Sequence, residues 1–279
     1  MGLTADLTTI AMAAYGTAVP KADIQPPKLY LCGFPKAGLH LADRMAVAML
    51  QPWNAENNWF GTNAWTVKRH RLDDAAFVLG SLKRGYYIKG HLGYLKSFEI
   101  LFSVLGIAVV FIYRDLRDVV VSQAYHMMSD REDLYLPGRE KYQGMSKEDV
   151  MLIAIQGDEV VDPLFDRWET YAGWVDCEWV LTMPFEEMVL KRERAAKTFF
   201  EYIHDWAMRD SGTTGAMTNT RVRQAIIRCI IAEMSHTEMS PTYRKGKTGG
   251  WKKEFTPAVE QAFYDADRNG WMERLGYVN

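Results

Sequence analysis

Lys36 and Gly38 lie in a short turn whose residue types and spacing suit the binding of an anion. An alternating and then apolar run over 28–32 predicts a buried strand before the turn, and from Leu39 the apolar residues recur at helical spacing. Free N–H groups and the dipole at a helix N-terminus favour negative charge, and glycine lets a bound group approach the backbone closely. The segment is either an anion cradle or an ordinary strand-to-helix turn with a solvated lysine, and its residues alone leave both open.

Arg114 and Ser122 form a second candidate for phosphate binding. A buried strand is predicted over 107–113 and a helix from Asp118, so Arg114 lies at the carboxyl edge, where ligands of open α/β sheets bind. A guanidinium can hold two phosphate oxygens while a hydroxyl one helical turn beyond Asp118 donates to a third. The alternative, which this stretch alone favours, is surface ion pairing of its arginines with its aspartates: Arg114, Arg117, Asp115 and Asp118.

His91 is a candidate catalytic residue, and it follows a short strand predicted over 85–89 that ends at Lys89. A histidine with a pKa of about 6.5 can remove the proton of an acceptor hydroxyl whose own pKa is about 10. An isolated histidine is more often a core or capping residue, but its position between the two anion motifs favours a general base. We interpret the other histidines as structural or solvated, except that His40 could touch a phosphate.

The elements around these residues alternate between strands and helices, which predicts an α/β fold with a central parallel sheet covered by helices on both faces. A fourth strand is predicted over 179–183. Residues 129–144 are charged and interrupted by Pro and Gly, which predicts a mobile loop. Further helices are predicted over 39–49, 71–82, 94–104, 162–175, 191–207, 220–234 and 257–269.

Composition indicates one large globular domain over 28–279, preceded by an extension over 1–27. Apolar residues make up 48% of the 279 residues and charged residues 24%, which are globular values. The net charge of −2 does not indicate binding to nucleic acid or to an anionic membrane. The aromatic residues over 162–175 are predicted to belong to the core rather than to a binding pocket.

The three cysteines are far apart and lack the spacing of metal ligands, so we expect buried reduced thiols and a cytoplasmic protein. No cluster of metal ligands is apparent. Residues 1–20 lack the basic and apolar regions of a signal peptide. The longest apolar run, 101–113, is too short to span a bilayer.

Four motifs together resemble the sulfotransferases that use 3′-phosphoadenosine 5′-phosphosulfate (PAPS). They are similar to that family's 5′-phosphosulfate loop, its Lys-x-His, its 3′-phosphate motif and its C-terminal Arg-Lys-Gly loop. Their order and spacing are more specific than any one motif. In chain order they are Phe34-Pro35-Lys36-Ala37-Gly38, Lys89-Gly90-His91, Arg114 with Asp118 and Ser122, and Tyr243-Arg244-Lys245-Gly246 followed by Gly249 and Trp251-Lys252.

The resemblance implies a P-loop-like strand-loop-helix and a role for each residue, with PAPS as cosubstrate, 3′-phosphoadenosine 5′-phosphate (PAP) as product and no metal. Lys36 would contact the oxygen that bridges sulfate and 5′-phosphate, and His91 would be the general base. Lys89 would help to neutralise the transferring group. The backbone N–H groups that would hold the 5′-phosphate belong to Ala37, Gly38, Leu39, His40 and Leu41. The groups that would hold the 3′-phosphate belong to Arg114, Ser122, Arg244, Lys245 and Gly246, and Phe185 would lie near the nucleotide.

The chain departs from the family at three places. Leu39 and His40 replace two Thr or Ser residues, so N–H groups and His40 would have to compensate for two missing hydroxyls. Leu41 replaces a tryptophan that stacks on the adenine in many cytosolic members. The usual dimer motif, read here as Lys252, Thr256, Pro257 and Gln261, is only half matched, which leaves the oligomeric state open.

Three classes of function fit these residues. The first is transfer of a sulfuryl group from PAPS to a hydroxyl of a small-molecule acceptor, a phenol or an alcohol. The second is a nucleotide or metabolite kinase, although Lys36 precedes Gly38 and a Walker A loop is absent. The third is a non-catalytic nucleotide-binding protein, which the altered Leu39-His40 pair would support. The acceptor pocket is expected from the loops 51–66, 129–144 and 234–242.

Overall fold

A parallel β-sheet forms the centre of the molecule, in a computed structural model that describes residues 27–50, 61–62, 72–130, 138–211, 220–235 and 247–277. All neighbouring strands are parallel, in the order β2-β3-β1-β4-β5. Four strands make up the body of the sheet, and the two-residue β2 extends one edge. The strands are β1 (Lys28–Gly33), β2 (Gly61–Thr62), β3 (Tyr87–Gly90), β4 (Ile107–Tyr113) and β5 (Leu181–Pro184).

Twelve α-helices and one 3-10 helix, Arg139–Tyr142, lie in the described part of the chain. The first six are α1 (Leu39–Leu50), α2 (Leu72–Gly80), α3 (Lys96–Leu105), α4 (Leu116–Met127), α5 (Lys147–Gln156) and α6 (Leu164–Ala172). The others are α7 (Phe185–Leu190), α8 (Arg192–Ser211), α9 (Thr220–Glu233), α10 (Trp251–Glu254), α11 (Pro257–Ala266) and α12 (Trp271–Arg274).

Helices cover both faces of the sheet, as the sequence predicted. Side chains alternate along β1, so Tyr30 and Gly33 face opposite sides. Tyr30 stacks on Phe102 of α3, with ring centroids 5.0 Å apart. A Cβ at Gly33 would lie 3.3 Å from the Leu39 Cβ at the start of α1. The strands are therefore buried on both faces, which explains their nearly continuous apolar sequences.

The aromatic residues over 162–175 belong to the core, as predicted. Trp168 and Trp174 are fully buried, and Trp168 packs edge-on against Phe34 directly after β1. All three cysteines are free and buried. Among the described helices none has the length and apolar character needed to cross a membrane.

Helix α5 was not predicted from the sequence. The Ser146 hydroxyl caps it by accepting a hydrogen bond from the Asp149 N–H, at 3.1 Å. Its apolar residues run together rather than forming a clear stripe, so periodicity does not reveal it. The loop predicted over 129–144 contains the 3-10 helix at 139–142, and 131–137 lie outside the described residues.

Candidate active site

The strand register brings the candidate residues to one edge of the sheet. Cys32 pairs with Gly90, Gly33 with Ile112, and Tyr113 with Pro184. The carboxyl ends of parallel strands meet at one edge, so the residues that follow them are neighbours. Those residues are Phe34, His91, Arg114 and Phe185.

The turn after β1 requires glycine at position 38. Lys36 and Gly38 both have left-handed φ angles, 69° and 93°. A Cβ at Gly38 would lie 2.3 Å from Cδ2 of Phe185, so the aromatic ring packs directly on the glycine backbone. A side chain at this position would therefore meet both backbone strain and a steric clash.

The turn presents fewer free N–H groups than the five that the resemblance implied. The Ala37 N–H donates to the Phe34 carbonyl at 3.0 Å, and the Leu41 N–H donates to the Gly38 carbonyl at 2.9 Å. Within the described residues, the remaining N–H groups, of Gly38, Leu39 and His40, have no hydrogen-bond partner. These three N–H groups are therefore the free donors of the turn, and phosphate binding by the N–H groups of residues 37–41 stays a prediction.

Phe185 connects the two anion motifs. Its ring contacts Gly38 on one side, and the guanidinium carbon of Arg114 lies 4.5 Å from the ring centroid. Burial, and then the charge of Arg114, lower the pKa of Lys36 to about 8. The Arg114 Nε is buried and has no hydrogen-bond partner within the described residues. Lys36 and Arg114 therefore form a buried cationic site. A bound anion would favour the charged form of Lys36 and could accept a hydrogen bond from the Arg114 Nε.

The alternative of surface ion pairs was right about the partners and wrong about their exposure. Arg114 pairs with Asp118 at 3.2 Å and Arg117 with Asp115 at 2.9 Å, but all four residues are buried. Arg114 also donates to the Lys247 carbonyl at 2.8 Å, which places it beside the C-terminal segment.

Asp118 anchors that segment to the site. Its carboxylate accepts hydrogen bonds from the Gly249 N–H at 2.8 Å and the Trp251 N–H at 3.0 Å. Lys247 directly follows the predicted 3′-phosphate residues, which themselves lie outside the described residues: Arg244, Lys245 and Gly246.

Ser122 lies half-buried on α4, and His126 follows it by one helical turn. Burial, followed by the charges of Lys36 and Arg139, lowers the pKa of His126 to about 4. Residues four apart share a helix face, so the face that carries Ser122 looks toward Lys36. Sequence reasoning interpreted His126 as structural or solvated, and its spacing from Ser122 was the signal that could have revealed it.

His91 is held in a single orientation. Its Nδ1 lies 2.7 Å from the Gly33 carbonyl oxygen, and its own carbonyl accepts a hydrogen bond from the Tyr171 hydroxyl at 2.9 Å. A carbonyl only accepts, so Nδ1 carries the hydrogen and the neutral ring keeps a lone pair on Nε2. Burial lowers the pKa of His91, and the charge of Lys36 lowers it further. The ring is therefore neutral and suited to accept a proton.

Lys89 has a partner that sequence reasoning missed. Its Nζ lies 2.7 Å from one carboxylate oxygen of Asp43, and the Tyr87 hydroxyl donates to the other oxygen at 2.7 Å. His40 lies on the same helix as Asp43, and its pKa is lowered to about 4 by burial and then by the charge of Lys89. The first five residues of α1, which include His40 and Asp43, thus lie between the turn after β1 and Lys89.

The described residues contain no group of three or more His, Cys, Asp or Glu residues arranged to hold a metal ion. The cations of the site are instead lysine and arginine side chains: Lys36, Lys89 and Arg114.

Solved structures share this fold at low sequence identity. Mouse sulfotransferase SULT7A1, complexed with PAP, is 16% identical with a TM-score of 0.57, and the match covers 88% of this chain and 84% of that one. Retinol dehydratase in complex with androsterone and the inactive cofactor PAP is 14% identical with a TM-score of 0.51, covering 88% and 81%. Its complex with retinol and PAP is 13% identical with a TM-score of 0.52, covering 88% and 82%.

A search of curated protein sequences found no significant match. The sequence profile described as "Sulfotransferase domain" matches residues 26–275, which is most of the chain. The chain therefore belongs to the sulfotransferase domain family and is a sulfotransferase, an enzyme of a family that uses PAPS.

Proposed function

We propose that this enzyme transfers the sulfuryl group of PAPS to a hydroxyl of a small-molecule acceptor, a phenol or an alcohol, with His91 as general base. The observation that carries the proposal is the bond between His91 Nδ1 and the Gly33 carbonyl, which leaves Nε2 as the basic atom of a ring whose pKa the charge of Lys36 also lowers. Charge stabilisation and proton removal are thereby joined at one edge of the sheet.

The donor side of the site suits a nucleotide with two anionic ends. Three unpaired N–H groups and Lys36 would hold the 5′ end, and Arg114 with Ser122 would hold the 3′-phosphate. PAPS supplies an activated sulfuryl group, and by analogy with phosphoryl transfer the leaving oxygen gains negative charge in the transition state. A Lys36 ammonium at that oxygen stabilises the transition state more than the ground state.

The C-terminal segment would complete the 3′-phosphate site. Arg114 donates a hydrogen bond to the Lys247 carbonyl, and residues 244–246 directly precede Lys247 in the chain. The side chains of Arg244 and Lys245 and the Gly246 N–H are therefore proposed to bind the 3′-phosphate together with Arg114. Phe185, already in contact with Gly38 and Arg114, would border the nucleotide between its two anionic ends.

On the acceptor side, His91 Nε2 would take the hydroxyl proton as the new S–O bond forms, and Lys89 would help to neutralise the transferring group. Retinol and androsterone in the similar structures support an apolar acceptor with a hydroxyl. The buried free thiols support a cytoplasmic location, and we propose residues 28–279 as the catalytic domain.

The test combines product formation with nucleotide affinity. Incubation with sulfur-labelled PAPS and a panel of phenols, alcohols, amines and glycans should give labelled product with at least one hydroxyl acceptor. Calorimetry should show tighter binding of PAP than of AMP, because each lost charge-assisted bond costs about 1.5–3 kcal/mol. Equal affinity for PAP and AMP would contradict the 3′-phosphate site. Phosphate transfer from ATP would favour a kinase, and nucleotide binding without turnover of any acceptor would favour a binding protein.

A further inference from the structure

Asp43 is a buried carboxylate at the junction between the cradle and the proposed catalytic residues Lys89 and His91. Its side chain is 8% exposed, and that of Lys89, its ion-pair partner, is 12% exposed. One carboxylate oxygen accepts from Lys89 and the other from the Tyr87 hydroxyl, both at 2.7 Å. A bridging carboxylate of this kind restricts both partners, because moving either one leaves a buried carboxylate oxygen of Asp43 without its hydrogen bond.

Asp43 favours the charged form of Lys89. Burial lowers the pKa of its ammonium, and Arg44 on α1 lowers it further, whereas Asp43 acts in the opposite direction. The titratable groups that act on Lys89 include, in the described part of the chain, Asp43, Arg44 and His40 from α1 and Tyr87 from its own strand. Of these four groups Asp43 supplies the negative charge, because burial and Asp43 itself raise the pKa of Tyr87.

We propose that Asp43 is a positioning residue that holds the Lys89 ammonium at the transferring group. The inference rests on the proposed function, in which Lys89 helps to neutralise that group. Asp43 lies on α1, which begins at the cradle, and Lys89 lies on β3, which leads to His91. The ion pair therefore fixes the acceptor side of the site relative to the donor side, and a small misplacement there is costly to rate.

The first arm of the test is kinetic and compares Asp43→Asn with the wild type. We expect kcat to fall by about ten- to a hundredfold, while PAP affinity stays within about threefold. The alkaline limb of kcat should move to lower pH, because Lys89 loses its proton more readily without the carboxylate. An unchanged kcat and an unchanged alkaline limb would overturn the proposal.

A matched control separates positioning from loss of any carboxylate. Glu99 also bridges a lysine and a tyrosine hydroxyl, Lys96 at 2.7 Å and Tyr94 at 2.5 Å, but on the outer helix α3. Glu99→Gln should leave kcat and its pH dependence unchanged. The double variant Asp43→Asn/Lys89→Met should be no slower than Lys89→Met alone, because Asp43 acts through Lys89. Losses that multiply would overturn this route of action.

The second arm does not depend on turnover. Brief labelling with acetic anhydride, quantified for each lysine by mass spectrometry, should modify Lys89 faster in Asp43→Asn than in the wild type, with Lys96 as internal reference. A neutral amine reacts and an ammonium does not, so the rate follows the Lys89 pKa. If the wild type sulfates no acceptor, the proposed function fails, but the labelling rate of Lys89 relative to Lys96 still tests whether Asp43 holds Lys89. The same relative rate in Asp43→Asn and in the wild type would overturn the positioning role of Asp43.

Discussion

At the scale of single residues, His91 gives the most direct prediction. His91→Ala should lower turnover by about 10²–10⁴-fold, since it removes positioned proton transfer, and should leave PAP affinity nearly unchanged. In the wild type, kcat/KM should rise with pH through a pKa below the ordinary 6.5, because burial and Lys36 disfavour the imidazolium. The measurement is kcat/KM and PAP affinity against pH for both proteins. Undiminished turnover in the variant would reject His91 as the base.

Lys36 should control both the size of kcat and the alkaline limb of kcat/KM for PAPS. Lys36→Ala should lower kcat on the order of a hundredfold or more, and nucleotide affinity less, because the charge acts most where the leaving group becomes negative. With a pKa of about 8 in the free enzyme, wild-type kcat/KM for PAPS should decline above that pH as the ammonium loses its proton. The alanine variant should lack this decline, and Lys96→Ala on the outer surface should behave like the wild type. Near-normal kcat in Lys36→Ala would mean that the turn binds the nucleotide without stabilising the transition state.

At the scale of elements, the turn between β1 and α1 depends on Gly38. Gly38→Ala should destabilise the protein by about 1–3 kcal/mol through its left-handed φ alone, with a further cost from the clash with Phe185. PAP affinity should also fall, since the ring and the N–H groups must shift. Gly80→Ala, at a position with nothing within 4 Å of an added Cβ, should stay within about 1 kcal/mol of the wild type. Urea unfolding and calorimetry measure both effects, and equal behaviour of the two variants would refute this account.

Asp118 connects helix α4 to the C-terminal segment. Asp118→Ala should cost about 3–5 kcal/mol, because it leaves the buried Arg114 without its carboxylate and frees the N–H groups of Gly249 and Trp251. The preference for PAP over AMP should also decrease, because Arg114 loses the ion pair with Asp118 that helps to orient its guanidinium. Asp265→Asn on exposed α11 is the control and should change neither property. If a stable Asp118→Ala protein kept the full preference for PAP over AMP, recognition of the 3′-phosphate would not depend on Asp118.

The sequence predicted those parts of the fold that rest on local patterns. The strand over 107–113 is apolar throughout and bounded by clear breaks, so its limits agree with β4. The position of the candidate residues at the carboxyl edge of the sheet followed from the alternation of strands and helices. The pair of Asp43 and Lys89 could not be predicted, because it depends on how α1 packs against β3, and they are separated by 46 residues. Likewise, local patterns could not show that the Arg114 and Arg117 pairs are buried beneath the C-terminal segment.

At the scale of the whole molecule, the site is a local concentration of positive charge in a chain whose net charge is −2. Burial is the first cause that lowers the pKa values of its lysines and histidines, and like-charged neighbours add to it. The nucleotide-free protein therefore disfavours the protonated forms of these groups. A bound anion raises their pKa values again, because its negative charge favours the protonated forms.

Acid should consequently destabilise the free protein more than the nucleotide-bound protein. An unfolded histidine has a pKa of about 6.5, whereas His40 and His126 have values of about 4 in the fold. Between these values the unfolded chain binds more protons, so stability is full above the unfolded pKa and falls as the pH decreases toward 4. His40→Gln/His126→Gln should flatten the decline in Tm, and saturating PAP should flatten it in the wild type. Equal slopes for the free wild type, the PAP complex and the double variant in calorimetry would contradict this coupling between the histidines and the anion site.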